Sequence, residues 1–280
     1  MEKRQRFSRR SFLRGAGIVA LCPLDVIGMQ QNAPGYGVTA LLDGTGMARI
    51  PPGDFEMGSP NGNADERPVH RVRISQGFEI GKCEVTQAQW DAVMRDAHAG
   101  RGATLVNAGG AEVSPSPSRF KGPSLPVDSV SWEDVALFLK RLNARDAMHA
   151  WRLPTEAEWE YACRAGRAEE AGLGTTAWYK ANSDDHTQPV ATKDPTAWGL
   201  YDMQGNVAEW VQDWYSADYY ENSPPADPKG PTGPEAGSYR VFRGSCWHNT
   251  SEYCRTAIRG FDFPVSRFDY VGFRLVRTPK

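Results

Sequence analysis

Soft-metal and redox chemistry needs thiols, and the 280-residue chain carries five cysteines. Cys83, Cys163, Cys246 and Cys254 lie in its body; four thiols allow three disulfide pairings, and sequence does not choose among them. Cys22 follows Val19-Ala20-Leu21, an apolar lead-in that suits a lipid-attachment cysteine, although Leu21 is large where a small residue belongs. Lipid attachment and a cleaved or inert cysteine both stay open there. Glu156, Glu158 and Glu160 alternate closely enough to suggest paired carboxylates, but they follow Thr155 at a helix start. They read as cap and solvated positions rather than a catalytic pair. Trp132, Trp159, Trp210, Trp214 and Trp247 have the chemistry to stack on sugars, yet large aromatics also anchor folds with few long elements. The second role is expected for most of them.

The elements that must position these side chains announce themselves at their starts. Thr86 with Gln89 and Thr155 with Glu158 form capping boxes, and Ser131 opens a run whose Val135, Phe138, Leu139 and Leu142 share one helical face. Helices are predicted over roughly 86–95, 131–145 and 155–165. Residues 47–58 predict two extended segments broken by a Pro-Gly turn, and the alternation in 69–74 predicts a half-buried strand. Two long stretches, 99–124 and 216–238, are rich in Gly, Pro, Ser and Ala and read as surface loops.

Composition is that of a globular protein, with 40% hydrophobic and 24% charged residues. A net charge of −2 gives no broad basic field, so nucleic acid is not an expected partner. No apolar run approaches the roughly 20 residues of a spanning helix. Ser8-Arg9-Arg10-Ser11-Phe12-Leu13 precedes a short, mildly apolar segment, the pattern of a twin-arginine export signal. The expected organisation is an export signal over 1–30, a linker over 31–44 and one domain over 45–280. The expected location is the periplasm or cell surface, with a lipid anchor if Cys22 is modified.

Several blocks then carry a resemblance. Ile50-Pro51-Pro52-Gly53-Asp54-Phe55-Glu56-Met57-Gly58, Glu66-Arg67-Pro68-Val69-His70, Glu84-Val85-Thr86-Gln87 and Arg152-Leu153-Pro154-Thr155-Glu156 come in order. Gly199 to Trp210, Arg243-Gly244, Cys254-Arg255 and Gly272-Phe273-Arg274 follow. Together they resemble the sulfatase-modifying-factor, or formylglycine-generating enzyme, family. That implies an α+β single domain related to C-type lectins, with little regular secondary structure. The family includes copper oxidases, iron-dependent sulfoxide synthases and non-enzymatic binding proteins, and fold does not choose among them.

The oxidase's two copper thiolates lie five residues apart in the family, whereas Cys246 and Cys254 stand eight apart. A repurposed Cys246/Cys254/His248 copper site is the weaker reading beside a disulfide or two separately packed thiols. The synthases' histidine cluster has no counterpart among five histidines. Asp202, Glu209 and the carbonyls of Gly205 and Val207 match a calcium site of the family, so structural calcium is the expected cofactor and copper is not.

The stretch 243–274 has an odd texture. Arg243, Gly244, Trp247, Cys254, Arg255, Ala257, Arg259, Pro264, Arg267, Gly272, Phe273 and Arg274 resemble the framework of family binding proteins. Between them stand Ser245, Cys246, His248, Asn249, Tyr253, Ile258, Gly260, Phe261, Asp262, Phe263, Val265, Ser266, Phe268, Asp269 and Tyr270. Each of these is reached from an asparagine codon by changing adenines alone, and none is Lys, Gln, Glu, Met or Trp. The pattern resembles variable proteins diversified by retroelements. The expected function is an exported binding protein whose C-terminal segment meets an unknown protein or surface ligand. The alternatives are an exported modifying enzyme with rearranged metal ligands and a structural envelope component.

Overall fold

The computed structural model describes residues 46–95, 104–166, 172–232 and 237–280, all within one compact unit, Asn32–Lys280. The export motif, Cys22 and the linker expected over 31–44 lie outside the described residues. Strands β1 (Met47–Ile50) and β2 (Gly53–Met57) flank the Pro-Gly turn, and β2 forms a hairpin with β3 (His70–Ile74). β4 (Phe78–Gly81) pairs with β1. The three expected helices are α1 (Gln87–Met94), α2 (Trp132–Arg145) and α3 (Glu156–Arg164). Each begins with a complete capping box on Thr86, Ser131 or Thr155, so two orphan amides are satisfied at each start. Ala165 ends α3 in the left-handed region with Gly166 after it. Between α2 and α3 runs β5 (His149–Arg152), and a one-turn helix, α4 (Leu173–Thr176), follows.

The C-terminal half contributes β6 (Ala208–Trp214), β7 (Arg240–Arg243), β8 (Arg259–Asp262), β9 (Val271–Phe273) and β10 (Val276–Pro279). One four-stranded sheet has the order β1-β4-β10-β5 and the other β8-β7-β6-β9, in which β9 runs parallel to β6. Gly272 permits that close β9 approach, since an added Cβ would lie 2.3 Å from the Val127 carbonyl oxygen. Two cores result. In one, Trp90 stacks on Phe138 at 5.4 Å while Phe273 meets both edge-on. In the other, Trp159 and Tyr161 of α3 pack with Val72, Ile80 and Val276.

Among the tryptophans, Trp159, Trp210 and Trp247 are buried as expected. Trp132 and Trp214 are half-buried instead, and they clamp the Arg240 guanidinium at 3.7 and 3.6 Å from their ring centroids. The solvated reading of the α3 glutamates needs correction. Glu158 does cap the helix and pairs with Arg152, but Glu156 and Glu160 are buried and meet arginines from distant strands.

Candidate functional site

The segment 243–274 is fastened by its arginines. Arg243 is fully buried, donating from Nη1 to Glu156 Oε1 at 3.0 Å and from Nη2 to Glu160, and it also reaches the Thr256 and Ala257 carbonyls. Arg259 makes a two-pronged pair with Glu156 at 2.7 and 3.0 Å. Arg255 grips Glu66 with two 2.7 Å bonds, and Arg267 grips Asp134, the residue that also closes the α2 capping box. Arg274 holds Glu209 through two 2.6 Å bonds. Guanidinium forks suit this task because their donors match a carboxylate in two places at once.

Between these fastenings most of the intervening side chains reach solvent. Tyr253, Phe261, Phe263 and Val265 are 51%, 40%, 47% and 60% exposed, large apolar groups left at the surface. His248, Asn249, Ile258, Asp262, Ser266, Phe268, Asp269 and Tyr270 are half-buried. Two positions lie beneath this surface: Ser245 and Cys246 are buried. Gly260 is constrained as well, since an added Cβ would fall 2.0 Å from Cε2 of Phe242, its cross-strand neighbour.

The exposed residues form two connected groups. Phe261 stacks on Tyr215 at 3.7 Å, and Tyr239 touches both Phe261 and Phe263. In the second group His248 lies between Trp247 and Tyr270, Phe268 stacks on Tyr270, and Arg119 pairs with Asp269 at 2.5 Å. Tyr215, Tyr239 and Arg119 were missed in the sequence because all three lie outside the 243–274 stretch, Tyr239 just ahead of β7 and the other two in more distant loops.

Asp128 lies beside this second group. Its Oδ1 accepts from the Arg119 amide and the Ser129 hydroxyl, its Oδ2 is buried without a partner, and burial pushes its pKa up to about 6. A raised carboxyl favours folding while protonated and loses that contribution as pH rises through its folded value. Relative to Asp128→Asn, the native protein should therefore lose stability between about pH 4 and about pH 6. Urea unfolding of both proteins across that interval checks the sign.

The Asp202–Glu209 turn is built from left-handed residues at Asp202 and Asn206, with Gly205 pressed against the Trp178 carbonyl. Asp202 Oδ2 accepts from the Ala191 amide, while Oδ1 is buried without a partner, and burial raises its pKa to about 6. Glu84 is buried nearby with both oxygens unpartnered, and burial, then Asp202 and Glu209, push its pKa well up. Glu209 differs: Trp159 Nε1 donates to it at 2.7 Å and Arg274 occupies both oxygens. The donor set thus fits a hard cation at Asp202 and does not fit one at Glu209. Val207 is buried and adjoins strand β6. Among the described residues no three His, Cys, Asp or Glu side chains gather in a metal-holding group.

All four thiols of the body are buried, and none is in a disulfide. The Cys163 thiol meets Thr256 Oγ1 at 3.5 Å, and Cys254 meets the Thr250 carbonyl at 3.6 Å. Cys246 lies 3.7 Å from His248 Nδ1, and burial pushes its thiol up to about 12, far from a thiolate at neutral pH. Five residues before Cys254 stands Asn249, bonded to Ser245 Oγ. Thiol titration without reductant should find these four cysteines unreactive in the native protein and all reactive once it is unfolded. Only two of these four becoming reactive on unfolding would mean a disulfide.

The family described as "Sulfatase-modifying factor enzyme 1-like domain" matches residues 38–279. The formylglycine-generating enzyme of Thermomonospora curvata is 30% identical over 292 residues, covering 84% of this chain and 94% of that one. The serine/threonine-protein kinase Pkn1 of Chlamydia trachomatis is 32% identical over 255 residues, covering 84% of this chain. This chain spans only 39% of that kinase's length. Treponema denticola variable protein 1 superposes with a TM-score of 0.68 at 29% identity, covering 82% of this chain and 94% of that chain. Order of motifs, fold and extent of match agree: the chain belongs to the sulfatase-modifying factor enzyme 1-like family.

Proposed function

We propose that this is an exported ligand-binding protein that presents a diversified C-terminal surface on the family scaffold. One observation carries the reading. Arginines of the 243–274 framework are tied to carboxylates elsewhere in the fold, while large apolar side chains between them stand exposed. Exposed aromatics are costly unless a partner covers them. The likeness to a protein named as variable supports the same reading. Export rests on the Arg9-Arg10 motif. Deep sequencing of the gene's 3′ end across sibling isolates tests it. Substitutions are expected at the surface positions, with the framework arginines fixed; a uniform segment in every isolate would sink the idea.

The relationship to formylglycine-generating enzymes favours a second reading, an exported oxidase. Asn249 stands where the first copper thiolate would be needed, and Cys246 is a buried, protonated thiol. Copper titration with a cysteine-peptide oxidation assay is expected to show neither uptake nor turnover.

Calcium belongs to the proposal as a structural ion, held through Asp202 with the Gly205 and Val207 carbonyls that the family implies. Bound there, it would neutralise a buried carboxylate that has an unpartnered oxygen. The melting temperature should rise in calcium relative to chelator, and Asp202→Asn should abolish the difference.

A further inference from the structure

The exposed crest has a chemistry of its own. Phe261 and Phe263 stand out from a floor of Tyr215 and Tyr239, neither of which belongs to the candidate variable set. Three carboxylates lie beside these aromatics and receive only uncharged donors, although Arg259 stands over the Tyr215 ring at 4.9 Å and donates to the Asp65 and Ser216 carbonyls. Asp262 Oδ1 accepts from the Phe263 amide and Ser266 hydroxyl, Asp65 from the Tyr215 hydroxyl, and Asp218 from Ser216. Among the described residues none of the three is in an ion pair, whereas the neighbouring cations are already engaged. Arg259 is committed to Glu156, Arg267 to Asp134, and Arg240 lies between Trp132 and Trp214.

We propose, building on the binding-surface reading above, that this crest takes a protein segment carrying lysine or arginine among aliphatic side chains. Three physical arguments converge on that class. Aromatic ring faces attract cations, and they do so more strongly once water is excluded. Unneutralised carboxylates around them supply the matching charge and repel anionic headgroups and nucleic acid. Contiguous exposed aromatic side chains are the anchor type of protein interfaces, where they fill apolar contacts at the centre of the patch. The tyrosine floor gives the partner a constant element, while Phe261, Asp262, Phe263 and Val265 set its specificity. Tyr239 is thus a binding residue that the diversified set does not include, while Tyr215, held between Phe261 and Arg259, supports the crest from below.

The test pans a random-peptide phage library against the full chain, then measures synthetic versions of the enriched peptides by fluorescence anisotropy. Enrichment of peptides with Lys or Arg beside aliphatic residues is expected. Phe263→Ser should weaken the enriched peptide by about 30-fold, as for an interface anchor. Asp262→Asn keeps an oxygen for the Phe263 amide and Ser266 hydroxyl but removes the charge, so it should weaken binding by about five-fold. Raising the salt concentration should shrink that difference. Circular dichroism and melting of both variants should match the native protein, because Phe263 is exposed and Asp262→Asn keeps the oxygen that accepts both hydrogen bonds.

Acidic or uncharged peptides that still depend on Phe263 would overturn the charge class and leave the binding surface standing. Enriched peptides indifferent to Phe263→Ser would overturn both. No enrichment at all would overturn a linear basic segment as the ligand.

Discussion

Arg274→Met should cost the fold about 3–5 kcal/mol, the penalty for stripping one partner from a fully buried ion pair. Arg274 is the cation that faces Glu209, and it also donates to the Gly81, Lys82 and Tyr201 carbonyls. Methionine leaves Glu209 with only the Trp159 indole as a donor and leaves those carbonyls without their guanidinium. Glu84 and Asp202 make the loss worse, since both are buried with unpartnered oxygens close to the same charge. Total stability of such a domain is only about 5–15 kcal/mol, so the variant should fold poorly or not at all. Urea unfolding and soluble yield measure it. A variant as stable as the native protein would mean that Arg274 does not hold this pair.

Arg243→Met is expected to be milder, at about 3 kcal/mol, near the bottom of the range for a broken buried pair. The reason is redundancy. Glu156 keeps its two bonds to Arg259, and Glu160 keeps Arg164 at 2.7 Å. What is lost is the bridge between those two carboxylates and the donors to the Thr256 and Ala257 carbonyls. Combining Arg243→Met with Glu160→Gln should cost less than the sum of the two single changes, because both remove the same Arg243–Glu160 bond. An additive double mutant would show that the two residues are not coupled.

Both effects arise from pairings that are invisible along the sequence, and this sets the limit of what could be read there. Helix starts at Thr86, Ser131 and Thr155 were legible because a capping box is complete within four residues. Strand β3 was legible because alternation is local. Glu156 and Glu160 were misread as solvated because their partners, Arg243 and Arg259, lie on β7 and β8. The same distance hid the engagement of Glu209, which a motif places on a metal but the fold places on Arg274. The codon texture picked out Tyr253, Phe261, Phe263 and Val265, which are exposed, but it also took in Ser245, Cys246 and Gly260, where burial or a tight contact restricts change. Composition records how a position can mutate, not how much room it has.

β10 lies between β4 and β5, in the interior of its sheet, although it follows the exposed segment in the chain. A polypeptide that stopped anywhere within 243–274 would leave β4 and β5 without the strand that joins them. Such a product would expose two strand edges and be a substrate for proteases rather than a shortened binder. The scaffold therefore acts as a reading check on its own gene: only messages translated through to β10 give a protein that persists. Under the diversification proposed above, adenine changes at asparagine codons would keep the third-position pyrimidine, create no stop codon and so satisfy this check.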